Sequence, residues 1–577
     1  MALRTSALLF FCLLLLLQDC FAKILKSLED LEGSKYDFIV VGAGTAGSVL
    51  ANRLSEVSEW KVLVVEAGVD DEGILDVEVP FLGTNLPDTE VDWNFTSTPQ
   101  AELFNRSVPL SRGYVPGGSS SINLMTWNRA SNDFWDSLAR LTNDSAWSWD
   151  AVEQYNRKAS RLVPPADGHD TTGEVDPSVH GNGPVQVSLP GFPTELDNRV
   201  VASAQALGGR FRYNKDFNAG DMLGFGYVQS SIGNGERSSS ATAYLHPALN
   251  RSNLDLLINT RVTRIVDSST DASRVMTTVE LAQSEDGPRT QLTATKEVIL
   301  SAGVFGTPQL LMLSGIGPKA QLEALNISMI LDSSEVGAGL TDHPLLANYY
   351  EVNSNSTFDA VLRDEDILAA DLKEWEEERQ GIPEDDHCRR GDPSSGPTSG
   401  NLEFLFINGF APFGSTPVPT NGSFMTVLAA VVSPKSRGSL TLASASVWDA
   451  PLIDLGLYTD DYDVAAMLDG VHALRTFLDA DPWKGYLVGL YGDIADATTD
   501  DALAIYARNN SITVNHACCT ARAGPGGVLD ADLRVNWVNG LRVVDASIYP
   551  QIPEAHPQAP TYIVAERAAD LIKAVYL

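Results

Sequence analysis

The chain has 577 residues, of which 44% are hydrophobic and 20% charged, and its formal net charge is −35 at pH 7. This length exceeds what one hydrophobic core usually organises, so we expect two domains or one large composite unit. The strong negative charge argues against nucleic acid and anionic membrane surfaces as partners and favours a soluble extracellular protein. It does not indicate a chemistry, which has to come from the motifs.

The first 22 residues have the pattern of a secretory leader. Arg4 gives a short positive start, residues 6–17 are almost wholly apolar, and Ala22 ends a stretch suited to cleavage. The apolar run is shorter than the roughly 20 residues of a membrane span. We therefore predict a signal peptide over residues 1–22 and no membrane anchor.

Two further patterns bear on export. Of the five cysteines, Cys388, Cys518 and Cys519 follow the leader, so at most one disulfide can form within the mature chain. A bond between the adjacent Cys518 and Cys519 would be strained, because neighbouring Cα atoms are only about 3.8 Å apart. Eight Asn-x-Ser/Thr sequons indicate a secreted glycoprotein. They begin at Asn94, Asn105, Asn143, Asn250, Asn326, Asn355, Asn421 and Asn509.

A nucleotide-binding pattern opens the mature chain. Residues 36–41 predict a buried strand, the stretch Gly42-Ala43-Gly44-Thr45-Ala46-Gly47 follows, and residues 48–55 predict a helix. The glycines permit a tight turn and a close approach to a pyrophosphate, which the helix N-terminus would bind through its N–H groups. A second buried strand over residues 61–65 ends at Glu66, which is expected to accept the ribose hydroxyls. The motif alone leaves NAD and FAD open.

The middle of the chain mixes helices with antiparallel strands. We predict a helix over 194–208, strands within 254–266, and a hairpin over 279–294 that turns at residues 285–288. The acidic stretch 363–400, later rich in Pro, Ser and Gly, is interpreted as a solvated surface loop. A helix is predicted over 463–478, with a structural role for its His472.

Three blocks resemble signatures of the glucose–methanol–choline (GMC) oxidoreductase family. They are RGYVPGGSSSIN at 112–123, SAGVFGTPQLLMLSGIG at 301–317 and VGAGLTDHP at 336–344. The stretches 237–245 and 253–266 are also similar to the family, and the likeness runs from Asp37 to the C-terminus with one break at 363–400. Within the family, the sequences at 163–165 and 189–193 look closest to fungal aryl-alcohol oxidases.

The resemblance implies a mixed α/β fold, with a Rossmann-like FAD-binding domain and a substrate domain made of an antiparallel sheet and flanking helices. It places a mostly FAD-binding part, built from discontinuous segments, at 35–345 and a mostly substrate-binding part at 346–505. A C-terminal catalytic segment, 506–577, would return to the FAD domain. There, apolar spacing over 561–575 after Pro560 predicts a helix whose positive end faces the flavin.

The resemblance also implies FAD as the cofactor and His516 and His556 as the catalytic pair. A neutral imidazole titrates nearest to physiological pH, so it can accept a proton there. No spacing of His, Cys, Asp and Glu suggests a metal site. The positions implied to contact FAD are Gly42, Gly44, Thr45, Ala46, Gly47, Glu66, Gly117, Gly118, Ser119, Asn123, Leu124, Met125, Thr126, Val262, Asp545 and Ala546.

Some positions depart from the aryl-alcohol oxidase pattern. Asn515 and Leu124 stand where aromatic residues are usual, and Cys519 places a side chain where the family usually has glycine. Phe410 would remain as the one aromatic of the substrate gate. The aromatic lining is therefore thinner, and the acidic 363–400 segment leaves open a wider, wetter entrance.

The activity implied is that of a secreted, monomeric FAD-dependent alcohol oxidase. A primary alcohol, aryl or allylic, would lose its proton to His516 and a hydride to flavin N5, giving an aldehyde, and O2 would reoxidise the flavin with release of hydrogen peroxide. His556 would hold the same oxygen. The alternatives are a dehydrogenase that uses quinone-type acceptors or sugar substrates, and a flavin-containing hydroxynitrile lyase.

Overall fold

The computed structural model describes residues 23–31, 33–269, 273–378, 385–386 and 393–577. The predicted leader and Cys388 lie outside the described residues, so their predictions stay open.

Two sheets organise the described chain. Their strands, in chain order, are β1 (Lys23–Leu25), β2 (Tyr36–Val41), β3 (Val62–Val65), β4 (Leu254–Leu257), β5 (Arg261–Val266), β6 (Thr278–Ala282), β7 (Thr290–Leu300), β8 (Pro344–Val352), β9 (Asp385–Asp386), β10 (Leu402–Ile407), β11 (Phe424–Val431), β12 (Leu487–Leu490), β13 (Ile512–Thr513) and β14 (Leu541–Val543). Four short strand pairs lie at Phe95–Thr96 with Pro109–Leu110, Ser160–Leu162 with Val185–Val187, Ile232–Gly233 with Glu236–Arg237, and Ile316–Gly317 with Leu331–Asp332. A small three-stranded sheet consists of Ala338–Leu340, Gly438–Thr441 and Leu452–Asp454.

Helices cover both sheets. The longer ones are α1 (Thr45–Leu54), α2 (Asn132–Thr142), α3 (Trp149–Ala159), α4 (Glu195–Leu207), α5 (Gly303–Leu313), α6 (Glu365–Glu378), α7 (Asp461–Leu478), α8 (Asp500–Asn510) and α9 (Gln558–Tyr576). Shorter helical turns lie at Leu75–Glu78, Ala241–Leu245, His246–Ala248, Lys319–Ala324 and Asp359–Arg363.

The first sheet is mixed and has the strand order β1-β4-β3-β2-β7-β6-β5, with β14 also paired to β7. The pairs β1–β4, β4–β3, β3–β2, β2–β7 and β7–β14 are parallel. The pairs β7–β6 and β6–β5 are antiparallel, and β6 and β7 form the predicted hairpin. Strand β2 is apolar and buried from Phe38 to Val41, which is typical of a parallel strand covered on both faces. The carboxyl end of β2 leads directly into the glycine turn.

The second sheet is antiparallel, with the order β9-β10-β11-β8-β12 and with β13 paired to β8. Strand β11 is buried throughout, and α7 packs against it. Strand β13 is followed within three residues by His516, and β10 carries Glu403. This sheet therefore supplies one wall of the histidine site, and the mixed α/β fold predicted from the sequence is confirmed.

The C-terminal helix α9 packs on α1, the first helix of the nucleotide-binding unit. A buried ion pair joins them, since the Arg53 guanidinium lies 2.6 Å from the fully buried Glu566 carboxylate, and the Tyr244 hydroxyl donates to the same carboxylate at 2.8 Å. The end of the chain is thus fixed to its beginning. The helix begins at Gln558, earlier than the predicted 561, because Pro560 fits the first turn of a helix, where its missing N–H costs nothing.

The segment predicted as a solvated loop contains helix α6, so that prediction is wrong for residues 365–378. Trp375 is 5% exposed, packs with Val79 and Leu82, and donates its indole N–H to the Gly235 carbonyl at 2.8 Å. One buried tryptophan therefore anchors a helix whose composition is otherwise acidic. Most of the rest of the stretch to residue 392 lies outside the described residues.

Candidate active site

Two glycine loops meet where the sequence predicts the pyrophosphate of FAD. Gly42 has φ +98°, and a Cβ there would lie 2.5 Å from the Ser301 carbonyl oxygen. Gly118 has φ +54°, and a Cβ there would lie 2.7 Å from the Gly44 Cα. The Gly117 N–H also donates to the Ala43 carbonyl at 2.8 Å. The backbones are therefore as close as glycine alone permits.

The start of helix α1 suits an anion. Its N-cap is Gly44, which provides no side-chain cap, and its first turn carries no acidic residue. The N–H groups of Thr45, Ala46 and Gly47 at this positive helix end are the groups that bind phosphate in dinucleotide folds. The predicted positions thus form one cradle with Gly118 and the neighbouring Ser119.

Glu66 ends β3 beside this cradle. Its carboxylate accepts the Ala43 N–H at 2.7 Å and the Gly68 N–H at 2.8 Å. Burial raises its pKa to about 7, although the backbone donors act in the opposite direction. A carboxylate has about four acceptor sites, so both contacts leave capacity for ribose hydroxyls. The Thr260 N–H, just before β5, donates to the Glu66 carbonyl at 3.0 Å, and Val262 on β5 is buried.

The side chain of Asp545, a residue expected to contact FAD, is engaged within the protein. Its carboxylate accepts from the Gly303 N–H at 3.0 Å, from the Thr307 hydroxyl at 2.6 Å, and from both the N–H and the hydroxyl of Ser547. Burial raises its pKa despite these donors. The side chain thus ties β14 to helix α5, and a cofactor contact here is left to the backbone of Asp545 and to the half-buried Ala546.

The loop at 123–126 connects the cradle to helix α9. The Asn123 amide donates to the Gln558 side-chain oxygen at 2.9 Å, and the Met125 N–H donates to Asn123 Oδ1 at 3.1 Å. Met125 has φ +65°, so the loop turns sharply there. Thr126 is held through its carbonyl by Gln558, whereas Leu124 is 40% exposed. The predicted flavin loop therefore adjoins the N-terminus of α9.

The two predicted catalytic histidines lie together. The ring centroids of His516 and His556 are 4.4 Å apart, and the ring planes are inclined at 72°. His516 follows the short strand β13, and His556 lies just before α9, so the two meet only after folding. The pKa of His516 is well below its usual value because the ring is buried; His556, His343 and Arg112 add to this shift. A neutral imidazole is the form that can take up a proton.

His516 is held by residues at the start of β8. Its N–H donates to Asp342 Oδ1 at 2.9 Å, and its Nδ1 lies 3.0 Å from the Nδ1 of His343. Burial raises the pKa of Asp342 to about 6, although Thr513, Arg112 and two backbone N–H groups lower it. The Arg112 guanidinium donates to the Asn515 carbonyl. Because Nδ1 of His516 is occupied, Nε2 is its nitrogen left for a substrate.

His556 is held from the antiparallel sheet. Its Nε2 lies 3.0 Å from the Glu403 carboxylate on β10, and its backbone N–H donates to Asn128 Oδ1 at 2.8 Å. Burial alone would raise the pKa of Glu403, but the interaction with His556 outweighs this effect, so the pKa lies below its usual value. The Nδ1 edge of His556 is then its side left for a substrate hydroxyl.

The sequence interpretation missed Glu403 and the contact of His343 with His516. His343 was visible in the VGAGLTDHP block but was taken only as part of a turn. Glu403 lies on a strand with no motif, and its separation of 153 positions from His556 hides the pair from any local pattern.

Several buried polar atoms around the histidines have no hydrogen-bond partner among the described residues, and three of them can serve a substrate. They are Glu403 Oε2, Asn128 Nδ2 and Asn515 Oδ1. Buried polar atoms are normally satisfied, so such a group signals a ligand or ordered water. Phe410, predicted as a gate residue, is instead buried with Tyr349, Phe424 and Tyr491.

Cys518 and Cys519 are free and buried, and their Sγ atoms are 2.8 Å apart. Cys519 has φ +77°, the left-handed region that favours glycine. Its N–H donates to the Ala546 carbonyl at 3.3 Å, so the cysteine pair connects the histidine segment to the turn that follows β14.

Comparison with known proteins gives the family. The GMC oxidoreductase models match residues 36–345 and 434–565. Pyranose dehydrogenase 3 of Leucoagaricus meleagris is 36% identical over 94% of this chain and 93% of its own. Two solved structures also match. A formate oxidase of Aspergillus oryzae, studied for its FAD modification, has a TM-score of 0.86 and 28% identity, covering 94% of this chain and 99% of its own. A fungal aryl-alcohol oxidase has a TM-score of 0.79 and 27% identity, with the same coverage of both chains.

The fold and site define an FAD-dependent oxidoreductase that acts on CH–OH donors. The chain belongs to the GMC oxidoreductase family, as the sequence resemblance implied. Its cofactor is FAD, and the residues present fit it: the two glycine loops are in contact, the helix end has no side-chain cap, and Glu66 retains acceptor capacity.

In the part of the chain that the structure describes, no helix is long and apolar enough to cross a membrane. Nor do these described residues contain a cluster of three or more His, Cys, Asp or Glu side chains that could hold a metal ion.

Proposed function

We propose that this protein oxidises a hydroxyl-bearing carbon of a small molecule, with His516 as the base that removes the hydroxyl proton. The observation that supports this most is the pair of imidazoles 4.4 Å apart, each with one nitrogen engaged by a buried side chain and the other left for a substrate. FAD would accept the hydride from the same carbon. His556, oriented by Glu403, would hold the substrate oxygen.

The polar lining favours a substrate with several hydroxyl groups. Besides the two histidines, the unsatisfied atoms of Glu403, Asn128 and Asn515 offer acceptors and donors to such a molecule. Leaving a buried polar group without a hydrogen bond costs about 1–3 kcal/mol of free energy, so these atoms disfavour a purely apolar substrate. The likeness to a pyranose dehydrogenase supports a sugar as that substrate and an organic, quinone-type molecule as the electron acceptor.

The experiment is a substrate panel under anaerobic conditions, read by bleaching of the flavin absorbance. Pyranoses are expected to reduce the flavin faster than benzyl alcohol does. Adding a benzoquinone should then restore the absorbance faster than adding air. No bleaching with any alcohol or sugar would refute the proposed reaction, and faster bleaching with benzyl alcohol would refute the substrate class.

A second candidate is the oxidation of a primary aryl or allylic alcohol with release of hydrogen peroxide. The structural likeness to a fungal aryl-alcohol oxidase supports it. Its signature in the same panel would be bleaching by benzyl alcohol followed by rapid reoxidation in air, with one peroxide formed for each aldehyde. Peroxide is easily measured by a coupled peroxidase dye.

We also propose that the protein is secreted, glycosylated and monomeric. All eight sequon asparagines are exposed, as glycosylation requires. The protein secreted by a eukaryotic host should lose mass on treatment with a peptide N-glycosidase, and its N-terminus should lie after Ala22. An unchanged mass, or retention of the leader, would contradict this proposal. Light scattering of the deglycosylated protein gives the oligomeric state.

The contacts around the site support a division of the chain into two units. We propose that 35–345 together with 506–577 forms mostly the FAD-binding unit, and that 346–505 forms mostly the substrate unit. Support comes from β14 and α9, which join the first sheet and helix α1, while β8 to β12 form the second sheet. If this division holds, limited proteolysis should degrade one unit while the other remains intact.

A further inference from the structure

The segment that carries His516 is attached to the two residues Asp342 and His343 by three contacts, of which His516 itself makes two. Its N–H donates to Asp342 Oδ1, the Val514 N–H donates to the His343 carbonyl at 3.2 Å, and the two Nδ1 atoms lie 3.0 Å apart. His343 is fully buried, and its ring is nearly perpendicular to that of His516. The contact between the rings therefore forms part of a rigid attachment.

Two Nδ1 atoms at this distance share one hydrogen, because a hydrogen bond needs one donor and one acceptor. If His343 donates, His516 Nδ1 is the acceptor, and a neutral His516 carries its proton on Nε2. That nitrogen could then not act as a base toward the substrate. If His516 donates instead, its Nε2 has a free lone pair and can act as the base.

The role proposed for His516 selects the second arrangement. Burial lowers the pKa of His343 to about 3, although Glu403 acts in the opposite direction, so the ring is neutral and carries one N–H. His343 Nε2 has no hydrogen-bond partner among the described residues, so it can carry that proton without losing a contact. Since Nδ1 of His516 is occupied by His343, Nε2 is the nitrogen of His516 left for a substrate, and it can act as a base only when the proton of His516 is on Nδ1.

We propose that His343 is a positioning residue that accepts the Nδ1–H of His516 and so fixes the tautomer in which His516 Nε2 is the base. This inference rests on the proposed function. In the step concerned, the substrate O–H bond breaks and an N–H bond forms at Nε2. The Nδ1–H of His516 stays hydrogen-bonded to His343, and this bond becomes charge-assisted, hence stronger, as His516 gains positive charge.

Two substitutions test the role of the acceptor. His343→Leu removes it while keeping an apolar filling, and His343→Asn places an amide oxygen near the former Nδ1. The rate constant of anaerobic flavin reduction is expected to fall by about 10²-fold in His343→Leu, the lower end of the range for general-base catalysis. His343→Asn should recover at least about tenfold of that loss, with flavin content unchanged in both.

A matched control separates this role from the general cost of removing a buried histidine. His180 is also buried and is bound on both ring nitrogens, by Ser160 and Gln229. His180→Leu should destabilise the fold but leave the flavin-reduction rate within about twofold. If His343→Leu keeps the wild-type rate, or if His343→Asn is as slow as His343→Leu, the proposal is wrong.

The tautomer can also be observed directly in the unmodified holoenzyme. Long-range 1H–15N spectra distinguish a protonated from an unprotonated ring nitrogen, and His516→Ala identifies the signals by their loss. We expect His516 to be neutral with its proton on Nδ1; a proton on Nε2 would overturn the proposal even if His343→Leu failed to fold. His516→Ala also distinguishes a failure of the proposed function from a failure of the role of His343. Unimpaired flavin reduction in His516→Ala would refute the proposed base, whereas loss of reduction there together with a normal His343→Leu rate would refute the role of His343 alone.

Discussion

Gly118→Ala tests whether the contact between the two glycine loops is needed to bind FAD. The added Cβ would lie 2.7 Å from the Gly44 Cα, whereas carbon atoms pack at about 3.5–4.0 Å, so the loops must separate by roughly 1 Å. Separation weakens the Gly117–Ala43 hydrogen bond, worth about 1 kcal/mol, and displaces the backbone around the pyrophosphate. A loss of about 1.4 kcal/mol corresponds to tenfold weaker binding.

The assay is the ratio of flavin to protein absorbance in the purified variant, together with its thermal stability. Gly526→Ala is a matched control, because Gly526 has φ +70° and a Cβ there would meet nothing within 4 Å. Both variants bear the cost of a left-handed alanine, about 1–2 kcal/mol, so their difference isolates the loop overlap. Gly118→Ala should be purified with clearly less flavin. Equal flavin content in the two variants would refute the reasoning.

Two further substitutions address the buried carboxyl groups. Glu403→Gln keeps the shape beside His556 but removes the negative charge that stabilises positive charge on the histidine pair. If this loss lowers the pKa of the pair by about one unit, flavin reduction should slow by roughly tenfold in stopped-flow measurements. An unchanged rate would contradict this role. Burial raises the pKa of Glu554 to about 7. The protonated carboxyl therefore contributes fully to stability below about pH 4.5, and this contribution is lost as the pH rises through 7. The glutamine of Glu554→Gln is neutral at every pH, so the variant should gain roughly 1–3 kcal/mol in stability relative to the wild type between about pH 5 and 8, as measured by thermal unfolding. A stability difference that does not change with pH would show that Glu554 does not titrate in this way.

Local patterns predicted the nucleotide-binding elements well. Strand β2 has the predicted bounds, α4 spans 195–207 of the predicted 194–208, and the β6–β7 hairpin turns where Gly287 and Pro288 indicated. These elements are specified by short-range features, namely apolar runs, a Thr194 cap and turn residues. The meeting of His516 with His556 came from the family resemblance, because no local pattern links residues 40 positions apart.

The errors have a common cause in long-range packing. Helix α6 was predicted as a loop because its acidic residues outweighed the spacing of Leu368, Leu372 and Trp375, which is that of one helical face. That face is stabilised by Val79 and Leu82, nearly three hundred positions earlier. The contact of Asp545 with the cofactor stays a prediction, but the sequence did not indicate that its side chain is engaged by Gly303, Thr307 and Ser547, contacts that only the folded sheet creates.

The proposed reaction depends most on His516 acting as the base, and His516→Ala tests this role directly. Under anaerobic conditions with a saturating substrate from the panel, the variant should retain its flavin but reduce it at least about 10²-fold more slowly than the wild type. Because burial keeps the pKa of His516 well below 6.5, the wild-type rate should also stay constant from about pH 6.5 upward until another group titrates. Near-native flavin reduction in His516→Ala would contradict the central claim.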